Sequence, residues 1–135
     1  MMGKIVFDDE PDNVPEATYA GVNYVDKVSC KEVIRYNEGE GKKKVVLVDC
    51  GVKSNIIRCL LKRDVEIIRV PWNYDFNSLE FDGLFISNGP GDPDTCDAAV
   101  QNIRKAMQNE KLPIFGICMG NQLLSKAGGA KIYKL

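Results

Sequence analysis

Short aliphatic runs that alternate with helix-like segments constrain the fold of this sequence more than any other feature. The alternation begins at Lys44 and continues to the end of the chain. It is typical of βαβ units, in which parallel strands buried on both faces read as continuous apolar runs. Strands are predicted at residues 44–49, 66–70, 83–87, 113–117 and 130–133. The predicted fold is an α/β architecture with an open, mostly parallel sheet and helices on both faces.

Three helices are predicted between or after these strands. Apolar residues recur at helical spacing at Ile56, Ile57, Leu60 and Leu61, and again at Ala99, Ile103, Ala106 and Met107. A third helix is expected to begin near Gly120 and to end at the glycine pair 128–129. Five strands fill only part of a doubly wound domain and leave an unpaired sheet edge, so the fold is expected to be incomplete.

The first forty-three residues differ in composition from the rest. They scatter Asp, Asn, Pro and Glu around one short apolar stretch and close on the polar sequence NEGEGKK. Two regions are therefore predicted. Residues 1–43 are a connector with the remnant of a preceding domain, and residues 44–135 are the N-terminal part of the α/β domain.

Composition and charge exclude several classes of function. The 135 residues are 44% apolar and 27% charged, which fits one packed domain. Eighteen basic and nineteen acidic residues give a net charge of -1 and no broad basic surface, so a nucleic-acid partner is not expected. No apolar run is long enough to span a bilayer, and the N-terminus turns acidic before a signal-peptide core could form. A cytoplasmic protein without a membrane partner is predicted.

The cysteine and histidine counts narrow the chemistry further. Five cysteines are widely spaced without a C-x-x-C pair, which indicates reduced thiols. The sequence contains no histidine. It therefore lacks both the commonest metal ligand and the commonest general base, and no metal site is predicted.

The sequence G-I-C-M-G at residues 116–120 is the strongest candidate for a catalytic motif. It follows a short buried strand and opens a helix, as a nucleophile elbow does, with Cys118 in the place of a serine nucleophile. Helix N-terminal amides favour a thiolate, and the backbone N–H of Met119 would face an oxyanion formed on an attacked carbonyl. The alternative is that Cys118 is a small buried residue at an ordinary turn.

A second turn, S-N-G-P-G-D-P at residues 87–93, follows another predicted strand. Its glycines leave the backbone accessible, so the amides of Gly89 and Gly91 could meet an oxyanion or a carboxylate. The same residues also make a good turn without any ligand. Both turns follow strands at the same edge of a parallel sheet, where open α/β folds place their sites.

These motifs, together with D-C-G-V-K-S-N-I-I-R at residues 49–58, resemble the class I, or triad, glutamine amidotransferases. The resemblance covers residue 44 to the end and is closest to the small, glutaminase subunit of carbamoyl phosphate synthetases. It implies a flavodoxin-like layered fold in which Cys118 attacks the side-chain amide of L-glutamine, forms a γ-glutamyl thioester and releases ammonia. It also implies that Gly89 and Met119 form the oxyanion hole, and that Gly89, Gly91, Met119 and Gln122 contact glutamine. The ammonia would pass to a large synthetase subunit that uses ATP and Mg, so no cofactor is expected in this chain.

The sequence departs from the family at its general base, a downstream histidine that a glutamate two residues later orients. With no histidine present, the chain alone is expected to be inactive, because general acid–base catalysis contributes about 10² to 10⁴-fold. Two alternatives remain open. The chain could be a non-catalytic binding or docking module with the same fold, or a flavodoxin-like redox protein whose elbow cysteine reacts with oxidants.

Overall fold

The chain forms a five-stranded, mostly parallel sheet with helices on both faces, as predicted. A computed structural model describes residues 21–133. The helices are α1 (Tyr24–Val28), α2 (Ser54–Leu61), α3 (Asp97–Ala106) and α4 (Met119–Ala127). The strands are β1 (Ile34–Tyr36), β2 (Lys43–Asp49), β3 (Val65–Pro71), β4 (Gly83–Ile86) and β5 (Ile114–Gly116), in the spatial order β1-β3-β2-β4-β5.

Strand pairing brings three strand ends together at one edge. Strands β2, β3, β4 and β5 are parallel, and β1 runs antiparallel to β3. In the pairing register Val48 lies opposite Ile86, and Ile86 lies opposite Gly116. The segments that leave β2, β4 and β5 at their carboxyl ends therefore start side by side.

The core is built from the alternation of side chains along the buried strands. On one face Val46, Val48, Ile68 and Ile86 pack with apolar residues of α1, α3 and α4. On the other face Leu47 and Ile67 pack with Ile57 of α2 and its half-buried neighbours. Burial of both faces explains why these strands read as continuous apolar runs.

Four of the predicted strands are confirmed to within one residue at each end, and the fifth is wrong. Residues 130–133 form no strand in the structure. The Ala130 amide instead donates to the Ser125 carbonyl at 3.0 Å, and the Gly129 amide donates to Lys126. With Gly129 at φ 93°, these bonds form a Schellman motif that ends α4. The amide of Ala130 is thus occupied by the helix end.

The segment predicted as a connector contributes two elements that sequence reasoning missed. Helix α1 buries Val25 completely in the core, and β1 pairs with the outer edge of β3. The first twenty residues of that segment lie outside the described part of the chain, so the predicted boundary at residue 43 stays a prediction. Within residues 21–133, no helix is long and apolar enough to cross a membrane.

Candidate functional site

The turn between β5 and α4 places the Cys118 thiol at the carboxyl edge of the sheet. Cys118 is exposed and precedes the first residue of α4, with φ 50° and ψ -109°. Such a backbone conformation costs a non-glycine residue about 1–3 kcal/mol and persists only where neighbouring structure enforces it. The prediction that this cysteine stands out at a tight turn is confirmed, and the alternative of a buried packing thiol is wrong.

Backbone hydrogen bonds fix this turn to the adjacent strand. The Ile117 amide donates to the Ile86 carbonyl at 3.0 Å, and the Gly120 amide donates to the Ile117 carbonyl at 2.9 Å. The Gln122 amide donates to the Cys118 carbonyl at 3.1 Å, which starts the helix. The thiol-bearing residue is therefore held between β4 and the first turn of α4.

Two glycines allow the close approach that the turn requires. A Cβ on Gly116 would lie 2.6 Å from the carbonyl carbon of Gly120, and a Cβ on Gly120 would lie 2.2 Å from the oxygen of Ile86. Real Cβ atoms do not approach backbone atoms this closely. Both positions thus need glycine, as the sequence pattern indicated.

The loop that follows β4 packs against the end of β2. A Cβ on Gly89 would lie 2.1 Å from the carbonyl oxygen of Cys50. The Cys50 amide donates to Ser87 Oγ at 2.9 Å, and Asn88 Nδ2 donates to the Gly51 carbonyl at 3.1 Å. These contacts fix the start of the loop beside the elbow, since Gly120 also touches the Ser87 backbone.

The structure places the five predicted site residues unevenly. Cys118 lies just before α4, and Met119 and Gln122 lie in the first turn of that helix. The Met119 side chain is buried and Gln122 is half-buried. As the first residue of α4, Met119 has a backbone N–H without an acceptor within the helix. Gly89 lies on the neighbouring loop against Cys50, whereas Gly91 lies farther along that loop, exposed at φ 90° and packed against Tyr24.

Asp49 is a residue at this edge that sequence reasoning did not single out. Its buried carboxylate accepts hydrogen bonds from the Gly51 and Val52 amides through Oδ1 at 2.9 and 2.8 Å. Oδ2 accepts from the Cys30 amide at 2.8 Å and forms an ion pair with Arg69 at 2.6 Å. Burial by itself raises the pKa of Asp49, but the hydrogen bonds from the three amides and Arg69 outweigh it and hold that pKa below its ordinary value. Its position, an acidic residue at the end of a buried strand, is the feature of the sequence that could have identified it.

Lys126 of α4 is a second missed residue. Its Nζ donates to the Pro93 carbonyl at 3.3 Å and pairs with Asp94 Oδ1 at 2.6 Å, while only 17% of its side chain is exposed. The far end of the loop is therefore tied to the same helix that carries the elbow.

The assembled edge can present a nucleophile but not a histidine base. An exposed thiol at the start of a helix is a suitable nucleophile for a carbonyl carbon, and nearby backbone amides can stabilise an oxyanion. No histidine is present in the sequence to accept the thiol proton. Among residues 21–133, no group of His, Cys, Asp or Glu could hold a metal ion.

Comparison with known proteins shows which proteins this chain resembles. The family model described as "Glutamine amidotransferase class-I" matches residues 46–135. The whole chain is 48% identical to a protein named multifunctional protein CAD of Squalus acanthias, and it spans 6% of that protein. Over 92% of its length it is 46% identical to the carbamoyl phosphate synthase small chain of Pyrococcus furiosus, of which it spans 34%. The chain thus covers about a third or less of these relatives.

A solved structure shows the same fold. The crystal structure of a protein described as belonging to a GMP synthase, from Thermoplasma acidophilum, superimposes with a TM-score of 0.56 over 66% of this chain and 46% of that one. The two sequences are 29% identical.

Proposed function

Because the chain belongs to the class-I glutamine amidotransferase family, we propose that it is the elbow-bearing part of a glutaminase that serves carbamoyl phosphate synthesis. One observation carries the proposal. The Cys118 thiol is exposed at a strained turn in which Gly120 packs directly on Ile86 and Ser87, where the loop that carries Gly89 begins. The relatives named above, a carbamoyl phosphate synthase small chain and a CAD protein, support this branch of the family.

The proposed chemistry begins with the thiolate of Cys118. Its sulfur attacks the side-chain carbonyl carbon of L-glutamine, and the carbonyl oxygen takes up negative charge. The amides of Gly89 and Met119 donate hydrogen bonds to that oxygen, and contacts from Gly91 and Gln122 orient the substrate. When the tetrahedral intermediate collapses, the C–N bond breaks and the nitrogen leaves as ammonia after taking a proton. Water then cleaves the thioester to glutamate and the free thiol.

The proton transfers need a base that this chain does not contain. A histidine commonly takes the thiol proton and returns one to the departing nitrogen, and the sequence has none. We therefore propose that the chain alone does not turn over glutamine. In the intact protein, the ammonia would pass to a large synthetase subunit that holds ATP and Mg.

Active-site-directed labelling tests the proposal without requiring turnover. The probe is a glutamine analogue whose side-chain amide is replaced by a chloromethyl ketone, from which a cysteine sulfur displaces chloride. Mass spectrometry should find the adduct on Cys118, and L-glutamine should protect that residue. Cys59 is exposed in α2 and serves as an internal reference thiol. Equal labelling of both thiols, with no protection by glutamine, would overturn the proposal.

The absence of histidine favours a second candidate function, a non-catalytic module that binds glutamine. Calorimetric titration of the chain with L-glutamine, together with an assay for released ammonia, separates the two candidates. Binding without ammonia release from a version of the protein that includes a histidine base would support the binding module. Ammonia release from that longer version would support the glutaminase.

A further inference from the structure

The start of helix α1 contacts the loop that carries Gly89 and Gly91. Asn23, the residue that caps α1, donates from Nδ2 to the Thr95 carbonyl at 2.9 Å. A Cβ on Gly91 would lie 3.2 Å from the Cβ of Tyr24, and its three nearest atoms all belong to Tyr24. The first residues of the helix thus contact both the middle and the far end of the loop.

The helix itself is fixed to the body of the domain. Val25 is completely buried in the main core cluster. After the helix, Ser29 Oγ accepts the Trp72 amide at 3.0 Å, and the Cys30 amide donates to the Asp49 carboxylate. A five-residue helix is not stable by itself, so these contacts hold α1 in place. The loop therefore rests against a fixed element.

The loop needs a fixed neighbour such as α1 because its glycines leave the loop backbone free to adopt many conformations. Gly91 adopts φ 90°, and glycine loses more conformational freedom on ordering than any other residue. Asn88 fixes the start of the loop and Lys126 its end. The middle of the loop packs against Tyr24, because the three atoms nearest to a Cβ built on Gly91 all belong to that residue.

We infer that Asn23 and Tyr24 are positioning residues, which hold the loop so that the Gly89 and Gly91 amides face the bound glutamine. The inference rests on the proposed function, in which these amides contact the substrate. It assigns to α1 a role in the geometry of the site, because misplacement of such donors weakens both binding and oxyanion stabilisation.

Two substitutions separate this role from the stability of α1. In the wild type, the Asp26 amide donates a hydrogen bond to Asn23 Oδ1 at 2.9 Å. Asn23→Ser keeps a side-chain oxygen that can cap this amide, but it removes the Nδ2 donor to the Thr95 carbonyl. Tyr24→Ala removes the ring, whose Cδ2 lies 3.4 Å from a Cβ built on Gly91. Lys31→Ala is the matched control, because Lys31 follows α1 and pairs with Asp26 on the exposed surface.

The experiment measures two quantities for each variant of the full 135-residue chain. Amide hydrogen exchange at Asp94, Thr95 and Cys96, whose amides donate hydrogen bonds at the far end of the loop, reports on its opening without any ligand. The rate at which the glutamine chloromethyl ketone labels Cys118, divided by the rate for iodoacetamide, reports on how well the glutamine part of the probe is held.

In Asn23→Ser and Tyr24→Ala, exchange at Asp94, Thr95 and Cys96 should rise by at least about tenfold, and the labelling ratio should fall by a similar factor. Lys31→Ala should leave both unchanged. Unchanged exchange in both variants overturns the inference, and so does faster exchange with an unchanged labelling ratio, which would make α1 a structural support only. If the wild-type chain shows no glutamine-protected labelling, the proposed function fails, and the exchange rates alone decide whether α1 holds the loop.

Discussion

Gly120, the second residue of α4, lies against the carbonyl oxygen of Ile86, the last residue of β4. A Cβ on Gly120 would stand 2.2 Å from that oxygen and 2.9 Å from the carbonyl oxygen of Ser87. This approach sets the distance between the helix that follows Cys118 and the loop that carries Gly89. This backbone contact thus helps to place the nucleophile beside the loop that carries one proposed oxyanion donor.

Gly120→Ala should separate the elbow from the loop. The atoms that the new methyl group meets are backbone atoms of β4 and of Ser87 after it, which cannot rotate away as a flexible side chain would. We expect the free energy of unfolding to fall by about 1–3 kcal/mol in urea titrations, together with loss of glutamine-protected labelling at Cys118.

Gly128→Ala is the matched control for that substitution. Gly128 ends the same helix in the α-helical region, and a Cβ there would make only ordinary contacts, the nearest at 3.5 Å. Alanine should be neutral at this position or raise the free energy of unfolding by about 0.4–1 kcal/mol. Equal losses in the two variants would contradict the role given to the Gly120 contact.

Cys118→Gly should stabilise the fold while removing the nucleophile. The φ of 50° at this residue costs a cysteine about 1–3 kcal/mol, whereas the entropic cost of a glycine is about 0.5–1 kcal/mol. We expect a net gain of about 1 kcal/mol in the free energy of unfolding, measured by urea denaturation. Cys118→Ala also removes the sulfur but keeps the strained backbone, so it should show no such gain. A gain of equal size in both variants would refute strain at this position.

The parallel part of the sheet and the elbow could be predicted from sequence because their signals are local. Buried strands read as apolar runs, and the pattern G-x-C-x-G requires a tight turn at Gly116 and Gly120. The structure confirms both. The strands from β2 to β5 pair in parallel, and a Cβ at either glycine of the elbow would collide with backbone.

The elements that sequence reasoning missed depend on contacts distant along the chain. Helix α1 has five residues and β1 has three, and each is stable only against its neighbours in the fold. The Asn23 side chain donates a hydrogen bond to the Thr95 carbonyl seventy-two positions later, and no local sequence pattern predicts such a bond. The wrong strand at residues 130–133 has a different cause, because the Ala130 amide is already bonded to the Ser125 carbonyl in the motif that ends α4.

The five thiols should divide into two groups when the native chain is treated with iodoacetamide. Cys59 and Cys118 are exposed and should react. Burial raises the pKa of Cys30 to about 11, and burial likewise raises the pKa values of Cys50 and Cys96. Cys50 and Cys96 should be modified only after the chain is unfolded, and the half-buried Cys30 should react more slowly than the exposed thiols, as peptide mapping by mass spectrometry can show. Rapid modification of Cys50 in the native chain would contradict the packing of Gly89 on that residue.

Asp49→Asn should destabilise the end of β2 more than an equivalent change at an exposed carboxylate. The asparagine keeps the Oδ1 acceptor for Gly51 and Val52, but it leaves Arg69 without its buried partner. We expect a loss of about 3–5 kcal/mol in the free energy of unfolding near neutral pH. The control is Asp82→Asn, whose side chain is 42% exposed in its pair with Lys43, and its loss should be much smaller than that of Asp49→Asn.

The difference in stability between the wild type and Asp49→Asn should depend on pH. The pKa of Asp49 is lower in the folded chain than its ordinary value of 3.8, so the unfolded state binds a proton more readily. The stabilisation by this carboxylate is therefore complete above the unfolded pKa and is lost as the pH falls through the lower, folded pKa. Urea titrations should show a constant difference between about pH 5 and about pH 7, and a shrinking one below about pH 4. A difference that stays constant down to about pH 2 would show that the charge of Asp49 does not stabilise this edge of the sheet.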